Sequence, residues 1–331
     1  MTTSFAFLFP GQGSQSIGML EALAEQHPVV GDTFSESSDV LGVDLWAMAQ
    51  QGPAEKQKDT RNTQQLMLAS GVACARAWRV SDGPAPSAMA GHSVGEFAAM
   101  VASGALEFPD AIALVKQRAE LMADAVPEGQ GGMAAVLGMD DDAVVAVCAD
   151  AVRQLIDSGD KNNPVVEAVN FNAPGQVVIS GHLHAIDAVS VLAKAAGARK
   201  VMPVPVSVPN HSALMRPAGE QLMPAIEALK WKQPSVPVVQ NVAATVPANV
   251  QELIDSLKAH VFSPVRWTQS IKLMSEQHHI DAFVELGPGK VLTGMGKRID
   301  KSRTVYPVFD PTTLSDALDA VGKNVPAQHD V

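Results

Sequence analysis

The chain has 331 residues, 47% of them apolar and 18% charged, with 25 glycines, 22 prolines and a formal net charge of −11. This is the composition of an ordinary folded protein, which excludes collagenous and disordered classes, and the acidic balance argues against nucleic acid as a main partner because phosphate neutralisation needs a basic face. Aromatics make up only 5%, so Ala, Val, Leu and Met must fill the core, which favours helices packed on a sheet over an all-β sandwich.

The first residues, Met1–Gly13, lack a basic start and a small-residue cleavage site, and no stretch approaches the ~18 apolar residues of a membrane span. The expected location is the cytoplasm. Cys74 and Cys148 both sit in apolar helical patterns and read as buried free thiols.

Short apolar runs alternate with helical periodicities along the chain. Ser4–Phe9 predicts a buried strand stopped by Pro10-Gly11, and Thr63–Val80 a helix with Leu66, Ala69, Val72, Ala73 and Ala77 on one side. Ser87–Ala90 predicts a second strand that runs through a Gly91-His92-Ser93-Val94-Gly95 turn into a helix ending near Ala102. Asp110–Val126 is amphipathic, with Ile112, Val115, Ala119 and Met122 on one stripe. Strand followed by helix is the pattern of a parallel sheet with crossovers.

After a glycine-rich stretch at 129–132 the order changes. Strand (Met133–Gly138), helix (Asp141–Ser158), strands (Val165–Phe171 and Gln176–Gly181), helix (His184–Ala196) and strand (Arg199–Val206) follow the β-α-β-β-α-β order of a ferredoxin-like unit. A helix (Ala213–Leu229), a strand (Val236–Gln240), a helix (Val250–Val261), a helix after Trp267, a strand (Ala282–Leu286), a Gly287-Pro288-Gly289 turn, a helix (Val291–Ile299) and a strand (Thr304–Val308) complete the pattern. The expectation is an α/β protein: an α/β-hydrolase-like core with a parallel sheet over residues 1–129 and 205–320, an inserted ferredoxin-like subdomain over 130–204, and a flexible tail over 321–331.

Gly-x-Ser-x-Gly between a buried strand and an alanine-rich helix is the context of a nucleophile elbow, with Ser93 lifted clear of the sheet and a helix N-terminus behind it. The competing reading is a plain turn in which Ser93 caps the helix, with Glu96 completing a capping box. His92 neighbours the serine but diverges from it, and fits better packed under the turn. His182, His184, His278 and His279 lie in polar contexts and read as surface residues. His211 follows a proline-stiffened run, Val204–Pro209, at a sheet edge. Arg118, among Leu114, Val115, Leu121 and Met122, either snorkels or pairs with something buried.

Phe9-Pro10-Gly11-Gln12-Gly13-Ser14-Gln15 and Gly91-His92-Ser93-Val94-Gly95-Glu96 together resemble the malonyl-CoA:acyl carrier protein transacylases, as do Asn170–Gln176, Pro205–His211 and Glu285–Lys290. The likeness runs from Phe7 to about Pro307. It implies a malonyl ester on Ser93, with His211 as the base, and the backbone N–H groups of Gln12 and Val94 as the oxyanion hole. It also implies that Arg118 grips the free carboxylate of malonyl, and that a main-chain carbonyl just before Phe262-Ser263-Pro264-Val265 orients the base.

That carbonyl belongs to His260, where the family usually has glutamine. Ala119 stands where it commonly has glycine, and Asn210 where it often has serine. Asn172, Met122 and His92 are expected to support the site. The resemblance implies no metal or redox cofactor, and makes malonyl-CoA and holo acyl carrier protein the partners. The carrier is acidic, so a docking patch drawn from Lys116, Arg199, Lys200, Lys290, Lys297 and Arg298 is expected. A transferase of a polyketide or other secondary pathway and a serine thioesterase or hydrolase are the alternatives.

Overall fold

A computed structural model describes residues 4–322. Nine strands occur among them: β1 (Phe5–Phe9), β2 (Ala88–Gly91), β3 (Gly131–Leu137), β4 (Val166–Ala173), β5 (Gln176–His182), β6 (Lys200–Val204), β7 (Val238–Val239), β8 (Ala282–Leu286) and β9 (Thr304–Val308). Five form a parallel sheet in the order β7-β2-β1-β8-β9.

β1 shows why this sheet is central. Its side chains alternate between the two faces of the sheet. Phe5, Phe7 and Phe9 enter the large core that holds Leu66, Met67, Val72 and Trp78 of the helix Thr60–Val80, while Ala6 and Leu8 face a second core around Trp267, Ile271 and Phe283. A strand buried on both faces needs apolar residues at every position, as in a sheet covered by helices on both sides.

The other four strands form an antiparallel sheet in the order β4-β5-β3-β6, with the helices Asp141–Asp157 and Leu183–Ala195 packed on it around Val136, Cys148, Ile179 and Val189. This is the order of a ferredoxin-like unit. β4 is also stitched to the core: Phe171 N–H donates to the Val265 carbonyl and Val265 N–H to that of Val169, at 3.0 and 2.7 Å.

Several expected boundaries move. The helix expected from Thr63 begins at Thr60, because the Asp59 carboxylate accepts the Arg61 N–H as a cap. The helix expected over Ala213–Leu229 is a short 3-10 turn, Ala213–Met215, then a helix Arg216–Ala228. The strand expected over Val236–Gln240 shrinks to two residues. Four helices, Glu21–Gln26, Val29–Leu41, Leu45–Gln51 and Ala54–Lys58, and a further one, Pro311–Gly322, have no counterpart among the expected elements. Val321 and Gly322, expected in the tail, belong to that last helix and Val321 is buried; the remainder of the expected tail lies outside the described residues. Both cysteines are free and buried, and burial pushes the Cys148 thiol up to about 12.

Candidate active site

β1 and β2 are adjacent and parallel, so their carboxyl ends open side by side, the place where ligands bind in open parallel sheets. β2 ends at Gly91, and the helix Gly95–Ala102 begins four residues on. The turn between them is tight enough to need both glycines. A Cβ on Gly91 would lie 2.0 Å from the Gly95 carbonyl carbon, and one on Gly95 would lie 2.2 Å from the Phe9 carbonyl oxygen. Ser93 takes a left-handed backbone with φ 51°, a costly conformation for a side-chain-bearing residue that a surrounding structure must hold in place.

Asn241 does much of that holding. Its Oδ1 accepts the Ser93 N–H at 2.8 Å, its Nδ2 donates to the Gly91 carbonyl at 2.6 Å, and its own N–H donates to the Glu96 carboxylate at 2.7 Å. Glu96 therefore completes no capping box. Val94 stands at the helix cap position, and the Ser93 hydroxyl goes elsewhere.

It goes to His211, with Oγ and Nε2 2.7 Å apart. His211 sits in a turn past the end of β6, with φ 66°, rather than on a sheet edge. Its Nδ1 lies 3.1 Å from both the His260 and Ser263 carbonyl oxygens. Both partners only accept, so Nδ1 carries the proton and Nε2 turns its lone pair to the serine. Burial, then the positive charge of Arg118, pushes the ring down to about 3, which keeps it neutral with its Nε2 lone pair free for the serine.

A cavity of about 220 Å³ opens over this pair, lined in part by Gln12, Gln64, Arg118, Asn172, Val206 and Met295. Among the described residues neither the Gln12 nor the Val94 N–H donates a hydrogen bond, whereas the Ser93 N–H is taken by Asn241. Arg118 is 1% exposed. It donates to Gln64 Oε1 and, at 3.5 Å, to His260 Nδ1, with its Cζ 5.7 Å from the Phe97 ring centre. Arg118 therefore does not snorkel. Burial pulls it down to about 10, still charged at neutral pH.

Asn172, on β4, pairs its Oδ1 with His92 Nε2 at 2.8 Å, and the His92 ring stands edge-on to Trp267. His92 thus braces the elbow against the subdomain. Met122 stays out of the cavity lining; its sulfur takes the Gln64 amide at 3.6 Å from behind. Three contributors have no place among the expected site residues. The Ser263 carbonyl leaves no side-chain signal, and Asn241 lies 148 residues from Ser93. Gln64 did offer one, a polar residue within a helix whose neighbours are nearly all buried.

A neutral histidine aimed at a serine on a nucleophile elbow can form and break a serine ester, and orientation by carbonyls in place of an acid sets this pair apart from a Ser-His-Asp triad. Fold and site thus define a serine-dependent acyl-transfer class. The chain belongs to the family described as "Acyl transferase domain", which matches residues 6–314.

It is 44% identical over 317 residues to the malonyl CoA-acyl carrier protein transacylase of Escherichia coli (strain K12), covering 96% of this chain and 99% of that protein. The structure of the malonyl CoA-acyl carrier protein transacylase from Coxiella burnetii is similar with TM-score 0.92 at 40% identity, covering 97% of this chain and 98% of the other. A malonyl-transacylase solved in complex with its acyl-carrier protein, a type II PKS carrier in the holo form, is similar with TM-score 0.91 at 43% identity, covering 96% and 100%.

Proposed function

We propose that this chain transfers malonyl from malonyl-CoA to the phosphopantetheine thiol of acyl carrier protein, by a ping-pong mechanism through a malonyl ester on Ser93, in fatty-acid synthesis. His211 takes the Ser93 proton as Oγ attacks the thioester carbonyl. The oxyanion rests on the N–H groups of Gln12 and Val94, and the protonated His211 gives its proton to the departing CoA sulfur. The carrier thiol then runs the sequence in reverse. The chemistry is polar throughout and asks for no electron transfer.

The observation that carries the malonyl assignment is Arg118. It is a fully buried cation lining the same cavity as Ser93, and among the described residues its hydrogen bonds go only to the neutral groups Gln64 and His260. Glu96 acts on this guanidinium only through space, its own carboxyl pushed up to about 8 by burial. A buried guanidinium with no carboxylate hydrogen-bonded to it is an anion site, and an uncharged acyl group would leave its charge unmatched. Acyl transfer by wild type and Arg118→Ala with malonyl-, methylmalonyl- and acetyl-CoA tests this. Wild type is expected to favour malonyl, and the variant to lose that preference by about tenfold or more. A wild type that favours acetyl sinks the assignment.

The likeness to a malonyl-transacylase that binds a type II PKS acyl-carrier protein supports a second carrier, from a polyketide pathway, which parallel assays with the two carriers separate. For docking, Arg298 donates to Gln176 on the cavity rim, and Lys200 pairs in register with Leu137, which also pairs with Gln176. Arg199 and Lys297, the chain neighbours of Lys200 and Arg298, and Lys290, at the start of the helix that carries Arg298, are likewise exposed. Lys116 lies apart, on the helix Phe108–Asp124, whose main packing partners are core helices. Among the described residues no helix is long and apolar enough to cross a membrane, which with the two free thiols supports a cytoplasmic location.

A further inference from the structure

A guanidinium has five N–H donors in a fixed fork, and the neighbours of Arg118 occupy its flanks. One Nη1 hydrogen goes to Gln64 Oε1, and one Nη2 hydrogen points at His260 Nδ1. Nε has no partner. One hydrogen on each of the three nitrogens is left, so the fork keeps enough free donors to hold a carboxylate by two bonds.

The partner fixes the state of the His260 ring. Arginine can only donate, so Nδ1 must be the bare nitrogen and the proton must sit on Nε2. That Nε2 is itself without a hydrogen-bond partner among the described residues, and faces Glu96 Oε2 across 3.9 Å. The ring is wedged edge-on between Phe97 and His211, with centroids 5.8 and 5.6 Å away, so it cannot turn without unpacking both. Burial, and then the positive charge on Arg118, hold its pKa well below the ordinary histidine value, which keeps the ring an acceptor.

We propose that the His260 side chain is a specificity-determining positioning residue: with Gln64 it aims the Arg118 fork into the acyl cavity, while its own carbonyl orients His211. One residue thereby ties selection of the acyl group to alignment of the base. Malonyl preference then depends on an acceptor atom at position 260, not on the size or aromaticity of the side chain. This rests on Arg118 being the anchor for the malonyl carboxylate.

The experiment compares kcat/KM for malonyl-CoA and acetyl-CoA in wild type, His260→Leu, His260→Gln and Arg118→Ala. His260→Leu is expected to lower the malonyl-to-acetyl ratio by about tenfold or more, chiefly through KM for malonyl-CoA, since it strips a hydrogen bond from a charged group. His260→Gln is expected to restore the ratio, because an amide oxygen can accept in place of Nδ1.

A ratio unchanged in folded His260→Leu, or equally low in the leucine and glutamine variants, overturns the proposal. If Arg118→Ala also keeps the wild-type ratio, the functional reading itself has failed; if Arg118→Ala loses it and His260→Leu does not, only the role of His260 has. Should His260→Leu not fold, nitrogen-15 NMR of the wild-type ring decides. A neutral ring protonated at Nε2 is expected, and one protonated at Nδ1 or at both nitrogens overturns the proposal.

Discussion

Ser93 is held in a backbone conformation it would not choose, and the cost is met by a residue far away in sequence. Replacing Asn241 by alanine would leave the Ser93 N–H and the Gly91 carbonyl unpaired inside the protein, at about 1–3 kcal/mol each. The expected outcome is a lower melting temperature and a fall in kcat of about tenfold or more, with KM for malonyl-CoA changing little, because the elbow and not the cavity is disturbed. A larger effect on KM than on kcat would place Asn241 in substrate binding instead.

A second outcome at this scale concerns pH. Arg118 opposes protonation of His211, so removing the cation must raise the histidine pKa. The acid limb of kcat/KM with acetyl-CoA is expected at higher pH in Arg118→Ala than in wild type; a limb that stays or falls would mean the two side chains do not feel each other. Ser93, His211 and Arg118 were legible in the sequence because motif and resemblance mark side chains. Asn241 and Ser263 were not, since what they contribute is a long-range contact and a main-chain oxygen.

At the level of elements, the parallel strands and long helices followed from their patterns, whereas the helices of five to seven residues between Glu21 and Lys58 did not. Such a helix has at most two turns and shows no repeat at i, i+3 and i+7 to read. The longer helix Val29–Leu41 hides its buried face differently: Thr33 and Ser37 lie on it, with hydroxyls donating to carbonyls four residues back. Glu285 does similar hidden work at the start of the helix Val291–Ile299. Its buried carboxyl accepts the Leu292 and Thr293 N–H groups at 2.9 and 2.7 Å and the Thr293 hydroxyl at 2.6 Å. Glu285→Ala leaves those donors unpaired, at a cost of about 2–4 kcal/mol. Leu292 and Met295 of this helix line the cavity, so KM for malonyl-CoA should rise along with the loss in melting temperature. A loss of stability with unchanged KM would show that the helix start does not shape the cavity.

For the whole molecule the difficulty is charge. A net charge of −11 repels an acidic carrier protein at long range, so attraction must come from a local basic group acting within a Debye length of about 8 Å at physiological salt. The exposed cations proposed for docking meet that requirement through Arg298, which donates to Gln176 of the cavity lining. Reversing Lys297 and Arg298 to glutamate is expected to raise KM for the carrier by about tenfold at low salt, and the difference from wild type should shrink as salt screens both proteins. Lys116→Glu adds the same kind of negative charge on a helix away from the cavity rim and should leave KM for the carrier near the wild-type value. Equal effects at the two places would mean that only net charge matters and that no docking patch exists. An effect confined to the rim would mean that the carrier is steered to the cavity mouth against the field of the whole protein.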